Sequence, residues 1–536
     1  MSLICTPIPV PSPDAALRDA HAAKAAGADL VEFRLDDFFT GDDAQVPAIV
    51  ALISDCPLPC IATCRLAAEG GHYDGPDDAR ISLFERLGTA FGKEEHPPRY
   101  IDIEAATYDR SANIRQKINL AIDHPEQIRD LQTSLILSMH DFQGRPADLT
   151  RRVLAMSRHA AAKILKVAFL ARSIRDNLEL FDLLAHRDRP MIALAMGEHG
   201  LMSRILAPKF GGFLTFASLH PSAATAPGQP TIADLLNLYR FRSIKPTTSV
   251  YGVVGSPVSH SLSPRLHNAG FDAVNHDGVY LPLPIAPGYE SLKATLLELI
   301  HHPTLSLRGL SITLPHKENI VRLAREQRWS LDAASDAINA ANTVSIERTS
   351  TGEPARIEVA NTDSPALARS IAEAVGEIRG KRIALLGAGG VAKAAAHALR
   401  SAELTILNRT RSRAQSLADS IPGARAATLS EFQPVSPVPF DLIINGTPLG
   451  MRDGPAPDAS PLSPELLRAL PSQTIVMDTI YTLLETPFLR AAREAGLRTL
   501  SGVSMFVDQA AAQFTRWTGA PAPTRLFERL VREHAG

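Results

Sequence analysis

From residue 3 to about residue 240, short apolar runs alternate with amphipathic stretches along the chain. The runs read "SLICTPI", "ADLVEFRLD", "PCIATCRL", "RYIDIEAA", "LILSMHDF", "KILKVAFL", "MIALAMGE" and "GFLTFASL". Between them lie segments of helical periodicity such as "PDAALRDAHAAKAAG" and "RSIRDNLELFDLLAH". Strand–helix units repeated in this way over about 240 residues predict an α/β fold that begins with a (β/α)8 barrel; an open doubly wound sheet is the alternative. Two lysines, Lys163 and Lys166, interrupt one run. Strand alternation sends them to opposite faces. One can snorkel past the strand end; the other faces an enclosed space, where desolvation favours a neutral, nucleophilic amine.

Active sites of such barrels lie at the C-terminal ends of the strands. The sequence places Glu32, Arg34, Arg65, Glu104, His140, Lys166 and, just past the seventh run, Arg204 at that mouth. Together they compose a chemistry. An amine forms a Schiff base with a ketone, and an imidazole removes the neighbouring proton and protonates a leaving hydroxyl. Glu104 is expected to orient His140, and the arginines to hold a carboxylate and hydroxyls. The blocks "VEFRLD", "IDIEAA", "SMHDF", "KVAF", "GLMSR" and "APGQ" resemble, in order, those of type I 3-dehydroquinate dehydratase. The resemblance implies a Schiff base at Lys166, acid/base work by His140 assisted by Glu104, and a substrate carboxylate on Arg204. It further implies that Glu32, Arg34, Arg65 and Gln229 bind hydroxyls or close over the ring. Thr225 stands where that family usually has Ser, which predicts altered packing of the lid rather than lost binding.

A short polar linker in "FRSIKPTTSVYGVVG" precedes a second set of patterns. Its strongest motif is "KRIALLGAGGVAKAAAHALRSAELTILNRTRSR", read as strand, glycine-rich turn, helix and strand. In the turn Gly387-Ala388-Gly389-Gly390-Val391-Ala392, Gly387 allows the tight bend and Gly389 admits a pyrophosphate. Ala392 permits close helix packing, and the helix N-terminus offers amide donors. Where NAD enzymes place an acidic residue after the second strand, this chain has Asn408, Arg409, Thr410, Arg411 and Arg413. Arginines there suit a 2′-phosphate, which predicts NADP(H) as cofactor. Lys317 follows Pro315 at a helix start, where the macrodipole disfavours a cation, so a substrate or a carboxylate such as Asp363 is its expected partner.

"SHSLSPRLHN", "SITLPHKENI", "AANTV", "ANTDSP" and "DQAAAQF", with the cofactor motif, resemble shikimate dehydrogenase from about residue 249 onward. The resemblance implies that Ser261, Ser263, Thr313, Asn342, Tyr481 and Gln509 bind shikimate, and that Lys317 and Asp363 handle the proton accompanying hydride transfer. Val359, Ala366, Leu483 and Ala510 depart from its usual Gly, Gly, Pro and Gly. The expected domains are residues 1–242 (dehydratase barrel), 249–363 completed by 501–536 (shikimate-binding), and 364–500 (a Rossmann NADP-binding domain). The expected function is a fusion of two consecutive steps, dehydration of 3-dehydroquinate and NADPH-linked reduction of 3-dehydroshikimate. Two alternatives stay open: quinate as substrate of the second half, and a non-catalytic metabolite-sensing regulator.

Composition adds limits rather than detail. The 536 residues are 45% hydrophobic and 21% charged, ordinary for a globular protein of several domains. A formal net charge of −2 argues against nucleic-acid and anionic-membrane partners, leaving small molecules. No apolar run approaches the roughly 18 residues of a membrane span. The start "MSLICTPIPV" lacks the features of a signal or transit peptide, so a cytoplasmic location is expected, as a monomer or homodimer. Cys5, Cys56, Cys60 and Cys64 lack a Cys-x-x-Cys or histidine pair and are read as reduced core thiols, with no metal site.

Overall fold

The computed structural model describes residues 2–93, 95–127, 131–434, 439–452 and 454–535. It divides into two compact units, Met1–Thr248 and Ser249–Gly536. Residues 246–248 are tied to the first unit by the buried Lys209, whose Nζ donates to the carbonyls of Pro246 (2.7 Å) and Thr248 (2.9 Å).

The first unit is a parallel eight-stranded sheet: β1 (Leu3–Pro9), β2 (Leu30–Arg34), β3 (Cys60–Thr63), β4 (Tyr100–Glu104), β5 (Ser134–Asp141), β6 (Ala162–Leu170), β7 (Met191–Met196) and β8 (Leu214–Phe216). The order β7-β6-β5-β4-β3-β2-β1-β8 curls on itself, and Phe213 N donates to Met191 O (2.8 Å) across the remaining seam. Inward positions recur every second residue and form layers. The lower layer is apolar: Cys5, Leu30, Ile61, Ile136, Ile164, Ile192 and Leu214 pack in one cluster, with Tyr100 against it. One period higher stand Glu32, Thr63, Asp102, Ser138 and Lys166, all buried. Lys163, an odd step away, is exposed.

The second unit contains two sheets. In the first, the order is β10 (Gly278–Pro284), β9 (Ser249–Gly255), β11 (Leu307–Ile312), β13 (Thr343–Arg348), β14 (Pro354–Ala360) and β12 (Ser330–Leu331), with β13 antiparallel to both neighbours. In the other, β17 (Arg425–Thr428), β16 (Glu403–Asn408), β15 (Arg382–Leu386), β18 (Leu442–Asn445), β19 (Ile475–Asp478) and β20 (Arg498–Leu500) are all parallel. The chain starts this sheet in the middle, runs one way to β17, then returns to β18 and runs the other way. The switch point therefore lies between β15 and β18, where doubly wound folds bind dinucleotides. The late helix Val503–Thr518 goes back to the first sheet: Val503, Phe506 and Phe514 join Tyr251, Leu266 and Phe271 in one apolar cluster. Among the described residues, no helix is long and apolar enough to cross a membrane.

Candidate active sites

Lys166 sits at the centre of the barrel mouth, 5% exposed. Its Nζ is 2.8 Å from Asp102 Oδ2 and 3.3 Å from Glu32 Oε1, and lies 4.6 Å from the ring centroid of Phe216. Glu32 also accepts from Thr63 Oγ1 (2.9 Å). Arg65 Nη2 reaches Asp102 Oδ1 at 2.8 Å, and its Nη1 donates to Ser138 Oγ at 2.9 Å. Burial alone would raise the Asp102 carboxyl, but Arg65 and Lys166 outweigh it and hold the group far below the usual carboxylate range. Arg34 is bound bidentately by Asp36 (3.0 and 2.8 Å). One cavity is lined by Glu32, Arg34, Arg65, His140, Lys166 and Arg204, and also by Glu69 and Phe142.

Burial, reinforced by Arg65 and Lys166, pushes the His140 imidazole well below its ordinary pKa, leaving it neutral. Its Nδ1 lies 3.2 Å from Glu69 Oε2. Burial raises the Glu69 carboxyl to about 7 despite Arg65 nearby. Glu104 does not take the place expected of it. Its Oε1 accepts from Leu66 N (3.3 Å) and is ion-paired with Arg65 Nη1 (3.1 Å), and its Oε2 accepts from Arg80 Nη1 (2.7 Å). With both oxygens engaged by Arg65, Leu66 and Arg80, Glu104 lies outside the cavity lining, and the carboxylate facing His140 belongs to Glu69.

Arg204, in the short helix Leu201–Ile205, is 1% exposed, and its Nε and Nη2 have no hydrogen-bond partner among the described residues. A buried guanidinium without a partner is costly unless an anion completes it. Beside it in the lining are Thr225 and Gln229. Thr225 donates from its amide (3.0 Å) and its hydroxyl (3.3 Å) to Gln229 Oε1, while Gln229 Nε2 has no partner among the described residues.

In the second unit, Lys317 begins the helix Lys317–Glu326, and Asp363 begins the helix Asp363–Val375. Lys317 Nζ is 2.6 Å from Asp363 Oδ2. Asn342 Nδ2 donates to Asp363 Oδ1 (2.9 Å), Thr362 Oγ1 (3.0 Å) and Gln509 Oε1 (3.2 Å), so these residues form one buried polar cluster. Ser263 N donates to Ser261 Oγ (3.3 Å). Tyr481 stacks on Phe506 with centroids 3.6 Å apart; burial, with Asp363 adding to it, pushes its hydroxyl up to about 12. No direct hydrogen bond joins Ser261, Ser263, Thr313 or Tyr481 to the Lys317 cluster among the described residues. The departures at Val359, Ala366 and Ala510 fall not in loops but in β14 and two helices, where all three are buried. Leu483 lies in the loop after β19.

At the switch point Gly387 has φ +113°, and a Cβ there would stand 2.9 Å from Gly446 O. A Cβ on Gly389, just before the helix Gly390–Ala398, would meet nothing within 4 Å. That open space at a helix N-terminus is where backbone amides can cradle a phosphate. Ala392 is fully buried, and a Cβ on Gly390 would lie 3.2 Å from Lys317 Cδ, so the glycine turn adjoins the Lys317–Asp363 pair. Ala388 and Val391 pack against the core beneath. Asn408 Nδ2 donates to Thr410 O (3.0 Å), closing the turn after β16. Arg411 pairs with Glu431 (2.5 Å), while Arg409 and Arg413 stand exposed.

Comparison with known proteins separates the same two segments. Residues 4–246 match the family model of type I 3-dehydroquinase. Residues 253–344 match the shikimate dehydrogenase substrate binding domain, 366–447 the shikimate / quinate 5-dehydrogenase model, and 502–532 the shikimate 5′-dehydrogenase C-terminal domain. The chloroplastic bifunctional 3-dehydroquinate dehydratase/shikimate dehydrogenase of Arabidopsis thaliana is 35% identical over 99% of this chain and 85% of its own length. The chain belongs to the bifunctional 3-dehydroquinate dehydratase/shikimate dehydrogenase family. The shikimate dehydrogenase (NADP(+)) of Moorella thermoacetica is 38% identical over 55% of this chain and 96% of its own. A crystal structure of the Thermus thermophilus shikimate 5-dehydrogenase with NADP(H) and shikimate is 32% identical. It covers 54% of this chain and 100% of its own, with a TM-score of 0.44.

Within this bifunctional dehydratase/dehydrogenase, sequence reasoning missed two residues at the barrel mouth. Asp102 carried a legible signal, because it lies two residues before Glu104 on the inward face of the same strand. Glu69 carried almost none. It lies in the short 3-10 turn Ala67–Glu69, where no strand or α-helix period applies, and the cue is the glycine pair after it. A Cβ on Gly71 would be 2.1 Å from Arg65 O, so the chain must fold back there.

Proposed function

We propose that Lys166, His140 and Glu69 dehydrate 3-dehydroquinate to 3-dehydroshikimate, and that Lys317 and Asp363 serve its NADPH-linked reduction to shikimate. The observation that carries the reading is Lys166, buried between Asp102 and Glu32 in a cavity shared with a neutral imidazole and an arginine whose Nε and Nη2 find no partner among the described residues. Glu32, 3.3 Å from Nζ, takes the ammonium proton, and the free amine adds to the substrate ketone. Loss of one water leaves an iminium that acidifies the adjacent C–H. His140 Nε2 accepts that proton while Nδ1 faces Glu69. The enamine then expels the β-hydroxyl, which takes the proton back from His140 and leaves as water. Hydrolysis of the imine consumes the water released earlier, so the net change is the loss of one water. Arg204 supplies the counter-charge for the substrate carboxylate.

In the second unit the residues present fit NADP(H): Gly387 to Ala392 form the open turn, and Asn408, Arg409, Thr410 and Arg413 border the ribose side. NADPH, when bound, supplies the hydride. Lys317 donates the proton to the oxygen that becomes the hydroxyl, and Asp363, fixed by Asn342, holds the ammonium in place. Ser261, Ser263, Thr313, Tyr481 and Gln509 provide polar groups for ring hydroxyls and carboxylate. A reducing, cytoplasmic location and a monomeric or homodimeric state belong to the same reading; the four buried free thiols support the first.

The test is product analysis of purified protein given 3-dehydroquinate, with and without NADPH. Without cofactor the expected product is 3-dehydroshikimate; with it, shikimate and NADP+ form in equal amounts. Unchanged 3-dehydroquinate would overturn the barrel reading, and NADPH left unconsumed beside 3-dehydroshikimate would overturn the other. Steady-state kinetics on shikimate and quinate decide between these two as substrates of the second unit.

A further inference from the structure

We propose that Arg80 and Glu104 form a buried clamp that sets the chain at Cys64–Leu66 and thereby holds Glu69 against His140. The proposal rests on the dehydratase reading and makes both residues positioning residues. Arg80 lies on the helix Asp77–Leu87 with its side chain wholly out of solvent. Its guanidinium donates to Cys64 O (2.9 Å), Glu104 Oε2 (2.7 Å), Thr107 Oγ1 (3.0 Å) and Asp77 Oδ1 (3.0 Å). Glu104 in turn accepts from Leu66 N (3.3 Å). Between them the pair grips a carbonyl and an amide two residues apart at the end of β3.

The loop that follows transmits this grip. Tyr73 N donates to Arg65 O (3.2 Å), Ala67 N to Tyr73 O (3.1 Å), and Gly71 N to Leu66 O (2.9 Å). Glu69 therefore sits on a closed turn rooted at the clamped residues, with no free stretch of chain to absorb a shift. A buried ion pair seldom stabilises more than apolar packing of the same volume would, so stability alone is a poor reason to retain this one. Fixing the geometry of a catalytic loop is a better one, since misplacing a reacting group by about 1 Å can cost roughly 10²-fold in rate.

Four full-length proteins test it: wild type, Arg80→Lys, Glu69→Gln and the double variant, each assayed for dehydration across pH. Lysine keeps the charge facing Glu104 but cannot span Cys64, Glu104 and Thr107 together. Arg80→Lys should lower kcat about 10- to 100-fold and leave KM within about threefold, because the binding residues are untouched. The limb of the kcat–pH profile that Glu69→Gln alters should shift in Arg80→Lys too. In the Glu69→Gln background the same substitution should cost less than about twofold, since the group it positions is gone. An equal cost in both backgrounds, a rise in KM with kcat intact, or wild-type rates would each overturn the clamp. Should Arg80→Lys lack a cooperative unfolding transition, the isosteric Glu104→Gln carries the kcat–pH and double-variant comparisons, without the KM criterion because Glu104 also faces Arg65 at 3.1 Å. A wild-type protein that reduces 3-dehydroshikimate but leaves 3-dehydroquinate untouched would sink the dehydratase reading and the clamp together. Wild-type dehydration with indifferent variants would sink the clamp alone.

Discussion

At Lys166, charge balance and chemistry pull in opposite directions: Asp102 and Glu32 steady the ammonium, whereas imine formation needs the free amine. Substrate binding must therefore displace part of this pairing, and the covalent intermediate should be trappable. Borohydride added during turnover is expected to leave one reduced adduct, on Lys166 and not on the exposed Lys163, as peptide mass spectrometry would reveal. Glu69 offers a second residue-level prediction. Its folded pKa of about 7 lies above the ordinary value of 4.5, so the folded state binds the extra proton between those limits. Stability from this group is present below about pH 4.5 and lost as pH rises through 7. Glu69→Gln removes that loss, so the variant should gain on wild type by on the order of 1–3 kcal/mol between pH 4.5 and 8 in denaturant titrations. No such divergence would mean that the carboxyl is not desolvated. These two residues also mark where sequence reading succeeds and stops. Lys166 was legible because an ammonium in an apolar strand must be explained, and strand alternation says which of two lysines turns inward. The partner of His140 was not, because Glu69 sits in an aperiodic turn while Glu104 offered an acidic side chain at a strand end. Glu104 is indeed inward and buried, but Arg80, which no local pattern connects to it, claims it first.

Elements were far easier to read than contacts. Each of the eight apolar runs became a strand, because alternation and β-branched residues act within a run and need no distant partner to be seen. The glycine turn after β15 was equally local, and its first two glycines now make opposite predictions. Gly387→Ala meets both a positive φ and the Gly446 carbonyl, so it should destabilise the second unit by about 1–3 kcal/mol in thermal or denaturant unfolding. Gly389→Ala meets nothing and has an ordinary φ of −84°, so the fold should keep its stability while KM for NADPH rises. Equal stability losses would show that the space at Gly389 is not reserved for a ligand. The turn after β16 carries its own test. With Arg411 committed to Glu431, replacing Arg409 and Arg413 by Ala should raise KM for NADPH by about tenfold or more while changing that for NADH little, because only contacts to the 2′-phosphate disappear.

For the whole molecule, the proposed acid/base groups Lys166, His140 and Glu69 belong to the first unit, and Lys317 and Asp363 to the second. Lys166→Ala should abolish dehydration and spare NADP-linked oxidation of shikimate. Lys317→Ala should do the reverse, lowering the oxidation by about 10²- to 10⁴-fold. Mixing the two variants should restore conversion of 3-dehydroquinate to shikimate after a lag, visible as delayed NADPH consumption. If instead each substitution silences both reactions, the units are not chemically separate. The helix Val503–Thr518, which returns to cover the sheet begun at Ser249, bears on how such a protein is made. A chain emerging from the ribosome has every barrel strand in hand by residue 248 and can complete that half at once. Tyr251, Leu266 and Phe271 must wait, unburied, for Val503, Phe514 and Phe527 to be translated before their side of the second half has a core. The nascent polypeptide thus completes its lyase half first and its reductase half only once residues 503–531 have been made, which leaves residues 249–360 exposed to aggregation and proteolysis in the interval.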